Sequence, residues 1–512
     1  MSSGAELLIT QALELGMDTC FANPGTTELP MVLALESRPG VRSVLGLHEN
    51  VCSGAADGYA RIAGKPAMTI LHLGPGFANA IANLHNARRA FSPVVNLVGE
   101  HASWHLSADP PLASDIESLA RPVSAFVRRS THAGGIARDL REAHASAMSR
   151  RGSVSTLILP HDHLQADAGE ARTTGPLAAE RYPGIDPALI EEAARLIERS
   201  RNPALLIGGE ALHGAGLDAA GRTGVTLVGE VSFARLETGR GRPLLHRLPY
   251  FPDQAQAMLD RFDAVVVCGT KLPVSFFGYA EHPSRYLDGR EEVVHLAGSE
   301  DDAVAALKAL AERLGRKASI TDAPPIAATG PNAPLDAKTL ADALALDLPE
   351  EAIAVVTAVS SAAPFYDSSV AAAPHTQIAL TGGAIGEGSA LSLGAAIAGG
   401  GRPVVALEAD GSAAYIVQAL YSHAREGLDI TTIICSNRRY RILDVEVQRA
   451  GIRNPGPHAS TLSDLGNPPI DWVAIARGFG VPGCKAATVG ELRQALARGL
   501  AEPGPYLIEA LL

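Results

Sequence analysis

Short apolar runs alternate with stretches of helical periodicity along most of the chain. The runs are VRSVLGL, PAMTILHL, SPVVNLVGE and VSTLILP in the first third, NPALLIGG, DAVVVCG and EEVVHLA in the middle, and AIAVVTA, RPVVALEA, ITTIICS and GPYLIEA in the last third. Short runs that are apolar on both faces and lie between helices are typical of parallel strands in α/β domains. The pattern therefore predicts an α/β protein built on parallel sheets.

Two polar, proline-containing stretches interrupt this alternation, at 170–187 and 321–336. Such composition is typical of linkers between domains. The linkers divide the chain into three α/β units of similar size, and we predict three doubly wound parallel-sheet domains. Their expected bounds are 1–170, 185–320 and 337–512. No fixed-period repeat is visible, which excludes a solenoid array.

Composition and charge narrow the classes of function. The chain has 512 residues, 46% hydrophobic and 19% charged, which is enough apolar material for several buried cores. A net charge of −12 and the lack of any basic run argue against a nucleic-acid partner. No apolar run approaches the roughly 20 residues of a membrane-spanning helix, and the N-terminus lacks the positive segment of a signal peptide. We therefore expect a cytoplasmic protein with neither a membrane nor a nucleic-acid partner.

Cysteine spacing and glycine motifs argue against two further classes. The five cysteines are scattered singly, with no C-x-x-C pair, so neither a zinc site nor a disulfide framework is indicated. No G-x-G-x-x-G follows a strand and no P-loop occurs, which argues against a nucleotide-binding dehydrogenase.

An acid and an amide follow two neighbouring strands of the last third. Asp410 follows RPVVALEA, a helical stretch stops at Gly427, and Asn437 follows ITTIICS. A right-handed crossover places both strand ends on one sheet edge, where ligands bind in doubly wound domains. A carboxylate and an amide oxygen suit Mg²⁺ or Ca²⁺, and Gly411 and Ser412 at the next helix N-terminus suit phosphates. From spacing alone, the alternative is that Asp410 caps a helix and Asn437 lies in a turn.

The surrounding motifs resemble those of thiamine-diphosphate-dependent enzymes. The stretch ADGSAAYIVQALYSHAREGLDITTIICSNRRY resembles the pattern by which that superfamily holds Mg²⁺ and diphosphate. NPGTTELP at 23–30, LGLHENVCSGAADGYAR at 45–61 and LHLGPGFANAIANLHNA at 71–87 resemble its N-terminal signature. Within the superfamily the chain looks most like benzoylformate decarboxylase and acetolactate-synthase-like proteins, nearly end to end. The resemblance implies pyrimidine-binding, central and diphosphate-binding domains, in that order.

The resemblance also implies which residues hold the cofactor. Glu49 takes the place of the glutamate that activates the aminopyrimidine, whereas a lone glutamate at a helix start is otherwise a partner of the helix dipole. Ile385 takes the place of the bulky residue that bends the cofactor, with ordinary core packing as the alternative. Gly383 and Gly386 flank it and allow the backbone to approach the pyrimidine closely. The backbone carbonyl of Arg439 falls where the family has its third metal ligand.

For the substrate, the resemblance to benzoylformate decarboxylase implies two further residues. Thr26 matches a hydroxyl residue that touches the substrate, and His72 matches an active-site histidine suited to proton transfer near neutral pH. The alternative for a lone histidine at a strand end is a hydrogen-bonded filler. Asn79 lies where the family has a polar residue near the reacting centre. Ser360 and Ser361 are candidate cofactor contacts.

The chain also departs from the family pattern. Near the place of a second catalytic histidine lie Phe276, Phe277 and Tyr279, with His282 a little later, so a simple copy of the decarboxylase proton relay is in doubt. Ala358 stands where an acid precedes the first loop of the diphosphate domain. The chain is shorter than acetolactate synthases that carry FAD in a longer central domain, so we expect no functional FAD.

The leading hypothesis is a thiamine diphosphate and Mg²⁺ lyase that decarboxylates a 2-oxo acid through an ylide and an enamine. The alternatives are an acetolactate-synthase-type carboligase without FAD and a non-catalytic thiamine-diphosphate-binding protein. The pocket decides between the first two, and the presence of Glu49, Asp410 and Asn437 argues against the third. In the superfamily, the two domains that share one cofactor come from different subunits. The resemblance therefore implies a homodimer or homotetramer with shared active sites.

Overall fold

The computed structural model describes residues 2–178, 180, 182–316 and 323–512. It contains three sheets, which define an N-terminal, a central and a C-terminal unit. The last residues of the expected central domain, 317–320, and the first two of the second expected linker lie outside the described residues. No helix of the described chain combines the length and the apolar character that crossing a membrane requires.

The N-terminal unit is a parallel sheet covered by helices on both faces. Its strands are β1 (Thr19–Asn23), β2 (Arg42–Leu45), β3 (Ala67–Leu71), β4 (Val94–Glu100), β5 (Phe126–Arg129) and β6 (Val154–Pro160). Its α-helices are α1 (Gly4–Glu14), α2 (Leu29–Ser37), α3 (Glu49–Ala63), α4 (Leu73–Ala90), α5 (Ile116–Ala120), α6 (Ile136–Ala147) and α7 (His161–Gln165). The strand order is β2-β1-β3-β4-β6-β5. Residues of β1, β3, β4 and β6 enter two separate cores, as expected for strands buried on both faces.

The central unit repeats this construction on a smaller scale. Its strands are β7 (Pro203–Ile207), β8 (Thr226–Gly229), β9 (Leu236–Thr238), β10 (Leu245–Arg247), β11 (Ala264–Cys268) and β12 (Val293–Ala297). Its α-helices are α8 (Pro187–Arg199), α9 (Gly214–Arg222), α10 (Pro252–Leu259) and α11 (Ala303–Leu314). The parallel sheet has the order β10-β8-β7-β11-β12, and strand β9 leaves it to join the sheet of the next unit.

The C-terminal unit has the largest sheet. Its strands are β13 (Ile353–Val356), β14 (His375–Ala379), β15 (Val404–Ala409), β16 (Ile430–Ser436), β17 (Gly483–Ala486) and β18 (Tyr506–Leu511). Its α-helices are α12 (Ala337–Asp347), α13 (Val359–Ser368), α14 (Gly388–Ala398), α15 (Asp410–Ala413), α16 (Ala419–Glu426), α17 (Arg441–Arg449), α18 (Gly456–Ser463), α19 (Trp472–Gly478) and α20 (Val489–Ala501). The order is β17-β18-β16-β15-β13-β14-β9, and β9 is the antiparallel edge strand.

The N-terminal and C-terminal units pack against each other through helices α3 and α14. A Cβ atom at Gly58 would lie 2.0 Å from the carbonyl oxygen of Leu391, and one at Gly394 would lie 1.8 Å from that of Ala55. Only glycine allows the two helix backbones to approach so closely. This contact fixes the loop that precedes α14 against the N-terminal unit.

The prediction of three parallel-sheet α/β domains is confirmed, and each of the eleven apolar runs contains a strand. The domain bounds themselves stay a prediction. The helix expected over AYIVQALYSHAREG, 414–427, begins only at Ala419, as α16, and stops at Gly427, which adopts the left-handed conformation; the short helix α15 precedes the expected stretch. The sequence analysis did not anticipate that the central unit contributes β9 to the C-terminal sheet.

Candidate active site

Glu49 begins helix α3, just beyond the carboxyl end of β2, and is nearly buried. Its Oε2 accepts a hydrogen bond of 2.9 Å from Nδ2 of Asn79, in the second turn of α4. A Cβ atom at Gly76 would lie 2.7 Å from Glu49 Oε1, so the glycine makes room for the carboxyl group. The structure thus holds this carboxyl group between the starts of two helices, with one amide donor.

His72 follows β3 directly, and its orientation is set by a residue that the sequence analysis missed. Glu28 is fully buried, and its Oε2 lies 2.7 Å from Nδ1 of the His72 ring. The same carboxylate accepts hydrogen bonds from the Gly25 amide at 2.8 Å and from the Thr27 hydroxyl at 2.7 Å. An imidazole whose Nδ1 donates to a carboxylate presents Nε2 for proton exchange. Glu28 stands in the NPGTTELP motif, which was the available signal for it.

Thr26 lies in the loop after β1, with its side chain exposed. The neighbouring Gly25 packs so closely on the His72 ring that a Cβ atom there would lie 2.2 Å from Nδ1. Strands β2, β1 and β3 are neighbours in the sheet, so their carboxyl ends bring together Glu49, the Thr26 loop and His72. We call this group the N-terminal edge.

Asp410 follows β15 and is 2% exposed. Its Oδ1 accepts a hydrogen bond of 2.8 Å from the Gly411 amide, and its Oδ2 accepts one of 2.6 Å from the Arg438 amide. Burial raises the pKa of Asp410 above its ordinary value, and the charge of Glu509 adds to the effect. Among the described residues, no lysine or arginine side chain forms an ion pair with it. A buried carboxylate without a cationic partner is the kind of group that a bound metal ion neutralises.

Asn437 follows β16 and lies beside Asp410, because strands β15 and β16 are neighbours. Its Oδ1 accepts a hydrogen bond of 2.9 Å from the Arg439 amide, and its Nδ2 lies 3.3 Å from Oγ of Ser361. Arg438, between Asn437 and Arg439, adopts the left-handed conformation with a φ of 57°, which turns the chain sharply at this point. The Arg439 guanidinium pairs with Asp444, so its backbone is the part that remains for a ligand.

The donor set at this edge suits a hard divalent cation with a diphosphate. It consists of one carboxylate, one amide oxygen and the backbone carbonyl of Arg439, which are oxygen ligands that leave room for phosphate oxygens. No group of three or more His, Cys, Asp or Glu side chains in the described chain forms a metal cluster by itself. Gly411 and Ser412 are buried in the first turn of α15, next to Asp410. We call these residues, with Ser361, the C-terminal edge.

The loop between β14 and α14 carries Gly383 and Ile385. Gly383 has a φ of 79° and lies under the ring of Phe276, whose Cζ would be 2.7 Å from a Cβ atom there. Gly386 has a φ of 94° and packs against Tyr415 and the carbonyl of Ser412. The loop therefore touches the start of α15, and Ile385 is half-buried between the two glycines.

Aromatic side chains of the central unit lie in the segment where the family resemblance implies a second catalytic histidine. The Phe276 ring lies 5.1 Å from the Tyr250 ring and 4.9 Å from the Phe277 ring, and both phenylalanines are partly exposed. The Tyr279 hydroxyl donates to Glu446 of helix α17 at 2.8 Å, and burial raises its pKa to about 12. His282 lies in the following turn. The rings of Tyr250, Phe276 and Phe277 thus form a largely apolar wall.

Ser360 and Ala358 lie at the start of α13, beside Ser361 of the C-terminal edge. Ser360 is half-buried in the first turn of α13, one residue before Ser361, and its hydroxyl has no hydrogen bond in the described chain. Ala358 is fully buried at the start of that helix, so no acid is available there.

The side-chain hydrogen bonds of Glu49 and Asp410 stay within their own units. The side-chain hydrogen bond of Glu49 is to Asn79 of the N-terminal unit, and those of Asp410 are to Gly411 and Arg438 of the C-terminal unit. No hydrogen bond between described residues connects the Glu49 and Asp410 side chains.

Two family models match the chain in the units that carry the two edges. The model of the thiamine pyrophosphate enzyme N-terminal TPP-binding domain matches residues 2–119. The model of the C-terminal TPP-binding domain matches residues 359–510. Glu49 and His72 lie in the first range, and Asp410 and Asn437 in the second.

Relatives of known name match along nearly the whole chain. One relative is IlvX of Mycobacterium tuberculosis (strain ATCC 25618 / H37Rv), which carries the name of an acetolactate synthase large subunit. It is 43% identical over 99% of both chains. Benzoylformate decarboxylase of Pseudomonas aeruginosa is 30% identical over 96% of both chains. Among solved structures, a thiamine diphosphate-dependent 4-hydroxybenzoylformate decarboxylase of Rhodococcus jostii RHA1 has the same fold, with a TM-score of 0.86 at 24% identity over 100% of this chain and 99% of that one.

Proposed function

The chain belongs to the thiamine-diphosphate-dependent enzymes, and we propose that it decarboxylates a 2-oxo acid with thiamine diphosphate and Mg²⁺, or Ca²⁺ in its place. Membership of the acetolactate synthase and benzoylformate decarboxylase group makes it a decarboxylase or a carboligase. The observation that carries the choice of decarboxylase is the histidine–glutamate pair of the N-terminal edge, which provides a proton donor for the product.

When bound, thiamine diphosphate supplies the carbon nucleophile that attacks the 2-oxo group and the electron sink that allows CO₂ to leave. The C-terminal edge would hold it: Asp410, Asn437 and the Arg439 carbonyl as metal ligands, and Gly411, Ser412 and Ser361 around the diphosphate. Hydrogen-bond donors at a helix N-terminus favour negative phosphate oxygens. These residues bind and orient the cofactor but move no proton.

Glu49 acts at the other end of the cofactor. In this proposal its carboxyl group would donate a hydrogen bond to the pyrimidine ring nitrogen of the bound cofactor and so would help to activate the thiazolium carbon. Asn79 holds Oε2, which leaves Oε1 for the pyrimidine. Ile385 would support the bound cofactor, and Gly383 would let the backbone reach the pyrimidine.

His72 is the proton carrier for the substrate. Glu28 fixes the ring and keeps the proton on Nδ1, so that Nε2 exchanges a proton with the reacting carbon or oxygen. Thr26, in the adjoining loop, contacts the carboxylate of the substrate. Phe276 and Phe277 add apolar surface and no proton, so this single imidazole serves both the addition and the product step.

We propose a homodimer, or a homotetramer made of two such dimers, because in the superfamily to which the chain belongs the two domains that share one cofactor come from different subunits. Each site combines the C-terminal edge of one subunit with the partner subunit's Glu49. An isologous dimer then has two equivalent sites.

A carboligase of acetolactate-synthase type is the second candidate, supported by the 43% identity to the protein named after that enzyme. It shares every step up to loss of CO₂ and differs in the acceptor, which is a second carbonyl compound rather than a proton. The aromatic wall of Phe276 and Phe277 favours substrates with apolar side chains, since such side chains leave no polar group unpaired there.

The test is a panel of aliphatic and aromatic 2-oxo acids with thiamine diphosphate and Mg²⁺, in which CO₂, aldehyde and acyloin are measured together. The proposal expects CO₂ and aldehyde in equal amounts for at least one acid with an apolar side chain. Acyloin or acetohydroxy acid as the main product would favour the carboligase. No CO₂ from any acid, with the cofactor shown to be bound, would overturn both.

A further inference from the structure

The loop before helix α14 is held by the N-terminal unit of its own chain. Six hydrogen bonds cross from helices α3 and α4 to the segment that includes Gly382 and Ala384. Three side chains of the N-terminal unit take part: Arg61, His85 and Asn86. The loop is therefore positioned by contacts outside the unit to which it belongs.

Asn86 makes the most specific of these contacts. Its Nδ2 donates to the Ala384 carbonyl at 2.8 Å, and its Oδ1 accepts from the Ala384 amide at 3.2 Å. The side-chain amide thus pairs with both polar groups of the residue next to Ile385. Asn86 is fully buried, so neither bond can be replaced by bulk water without reorganisation.

Behind this contact lies a buried ionic cluster of Asp57, Arg61 and Glu387. The Arg61 guanidinium bonds both carboxylate oxygens of Asp57, the Ala379 carbonyl at 2.6 Å and the Thr381 hydroxyl at 3.2 Å. Burial, and then the charge of Asp57, raises the pKa of Glu387 well above its ordinary value. The cluster ties both ends of the loop to helix α3, since Ala379 ends β14 and Glu387 precedes α14.

The glycines of the loop allow it to pack closely against its neighbours. A Cβ atom at Gly382 would lie 2.5 Å from Asn86 Oδ1, and one at Gly386 would lie 2.4 Å from the Tyr415 Cβ. Together with Phe276 over Gly383, all three units of the chain contact this loop. Such contacts over-determine a backbone that includes two residues with positive φ.

We propose that Asn86 is a positioning residue for the cofactor: by pairing with the Ala384 peptide, it sets the loop that presents Ile385 and Gly383 to the pyrimidine. The inference rests on the proposed function for the identity of the ligand, but the contact itself does not depend on it. Asn86 touches neither cofactor nor substrate and acts through the loop. It acts on the loop of its own subunit, whereas in the proposed dimer Glu49 would act in a site that it shares with the partner.

The first test needs no cofactor. Amide hydrogen exchange in the apo protein should be at least about tenfold faster at Ala384 in Asn86→Ala than in wild type, because the variant removes the acceptor of that amide. Asn96→Ala is the matched control. Asn96 is equally buried in β4 and has two side-chain partners, Thr69 at 2.8 Å and Thr156 at 3.0 Å, away from the loop. Equal exchange at Ala384 in all three proteins would overturn the proposal.

The second test is the affinity for thiamine diphosphate with Mg²⁺, measured by calorimetry. We expect a loss of at least about tenfold in Asn86→Ala and in Asn86→Asp, and no loss in Asn96→Ala. The aspartate keeps the side-chain size and opposes the Ala384 carbonyl with a second acceptor, so it serves if the alanine variant does not fold. Unchanged affinity in a folded Asn86 variant would overturn the proposal. Absence of binding to the wild type would instead overturn the proposed function, and the exchange experiment would still decide on the contact.

Discussion

The two edges of this molecule both place a buried carboxylate at the carboxyl end of a parallel strand, but they surround it differently. At the N-terminal edge, Glu49 is bonded by a side-chain amide, and Glu28 by an imidazole and a hydroxyl in addition to the Gly25 backbone amide. At the C-terminal edge, Asp410 is bonded only by backbone amides. The first arrangement controls where protons lie, whereas the second leaves a negative charge for a cation.

The difference shows why sheet topology alone does not assign a role to a carboxylate. Strand ends bring functional groups together in both units, but the partners of each group decide what it does. A carboxylate that fixes an imidazole tunes proton transfer, whereas one held by backbone amides keeps its orientation when a metal binds. The variants below are expected to separate the two edges.

The largest expected effect is on the C-terminal edge. Asp410→Ala should lower the affinity for thiamine diphosphate with Mg²⁺ by at least about a hundredfold and leave the fold intact, because it removes the only charged group among the metal ligands that we propose. Calorimetry measures the affinity, and circular dichroism checks the fold. Asp471→Ala is the control, because Asp471 also accepts a backbone amide, at 3.1 Å, but on the exposed start of α19. Wild-type affinity in Asp410→Ala would contradict the metal assignment.

The corresponding variant at the N-terminal edge should have a lower turnover number and an unchanged affinity for the cofactor. Glu49→Gln preserves size and removes the acidic proton, so we expect a loss of turnover of at least about a hundredfold, as is usual for general acid–base groups. Hydrogen–deuterium exchange at thiazolium C2 reports the affected step directly. Fast exchange in the variant would show that Glu49 is not the activator, and a parallel loss of cofactor affinity would remove the distinction between the edges.

A smaller effect is expected from the residue behind His72. Glu28→Gln should lower the turnover number by about tenfold to a hundredfold, since the amide no longer fixes the imidazole with a charge. The cofactor affinity should stay at the wild-type value, because Glu28 contacts only His72, Gly25 and Thr27 among the residues of this edge. Steady-state kinetics and calorimetry test the two parts. Unchanged turnover would mean that the His72 ring is held by its other neighbours.

Much of the fold follows from local pattern. Most of the eleven apolar runs contain strands that are buried on both faces, and residues in such strands must be apolar throughout. Strand β2 is an exception, because Arg42 and Ser43 are exposed. The strands that the pattern missed are short or polar, such as β5 with the sequence FVRR and β17 with GCKA. Strand β9 could not be predicted, because its partner lies in another unit and its three residues carry no signal of their own.

For the candidate site too, the sequence predicts some of the residues that come together and not others. Asp410 and Asn437 could be placed together from the sequence, since one crossover separates them and its handedness is fixed. Glu28 and Asn86 could not, because their partners are 44 and 298 residues away and depend on how whole units pack. The spacing of motifs thus predicts which strand ends meet, and the packing between units decides which side chains support them.

The most direct test of the account mixes lesions of the two edges in one dimer. Glu49→Gln chains are co-expressed with Asp410→Ala chains that carry a different tag, and mixed dimers are isolated or counted. Each homodimer has two inactive sites, whereas each mixed dimer has one site with both lesions and one with none. Random pairing makes about half of the dimers mixed, so activity should return to roughly a quarter of the wild-type value. Background activity in a preparation with confirmed mixed dimers would contradict the account, because it would mean that Glu49 and Asp410 do not act on one cofactor from two subunits.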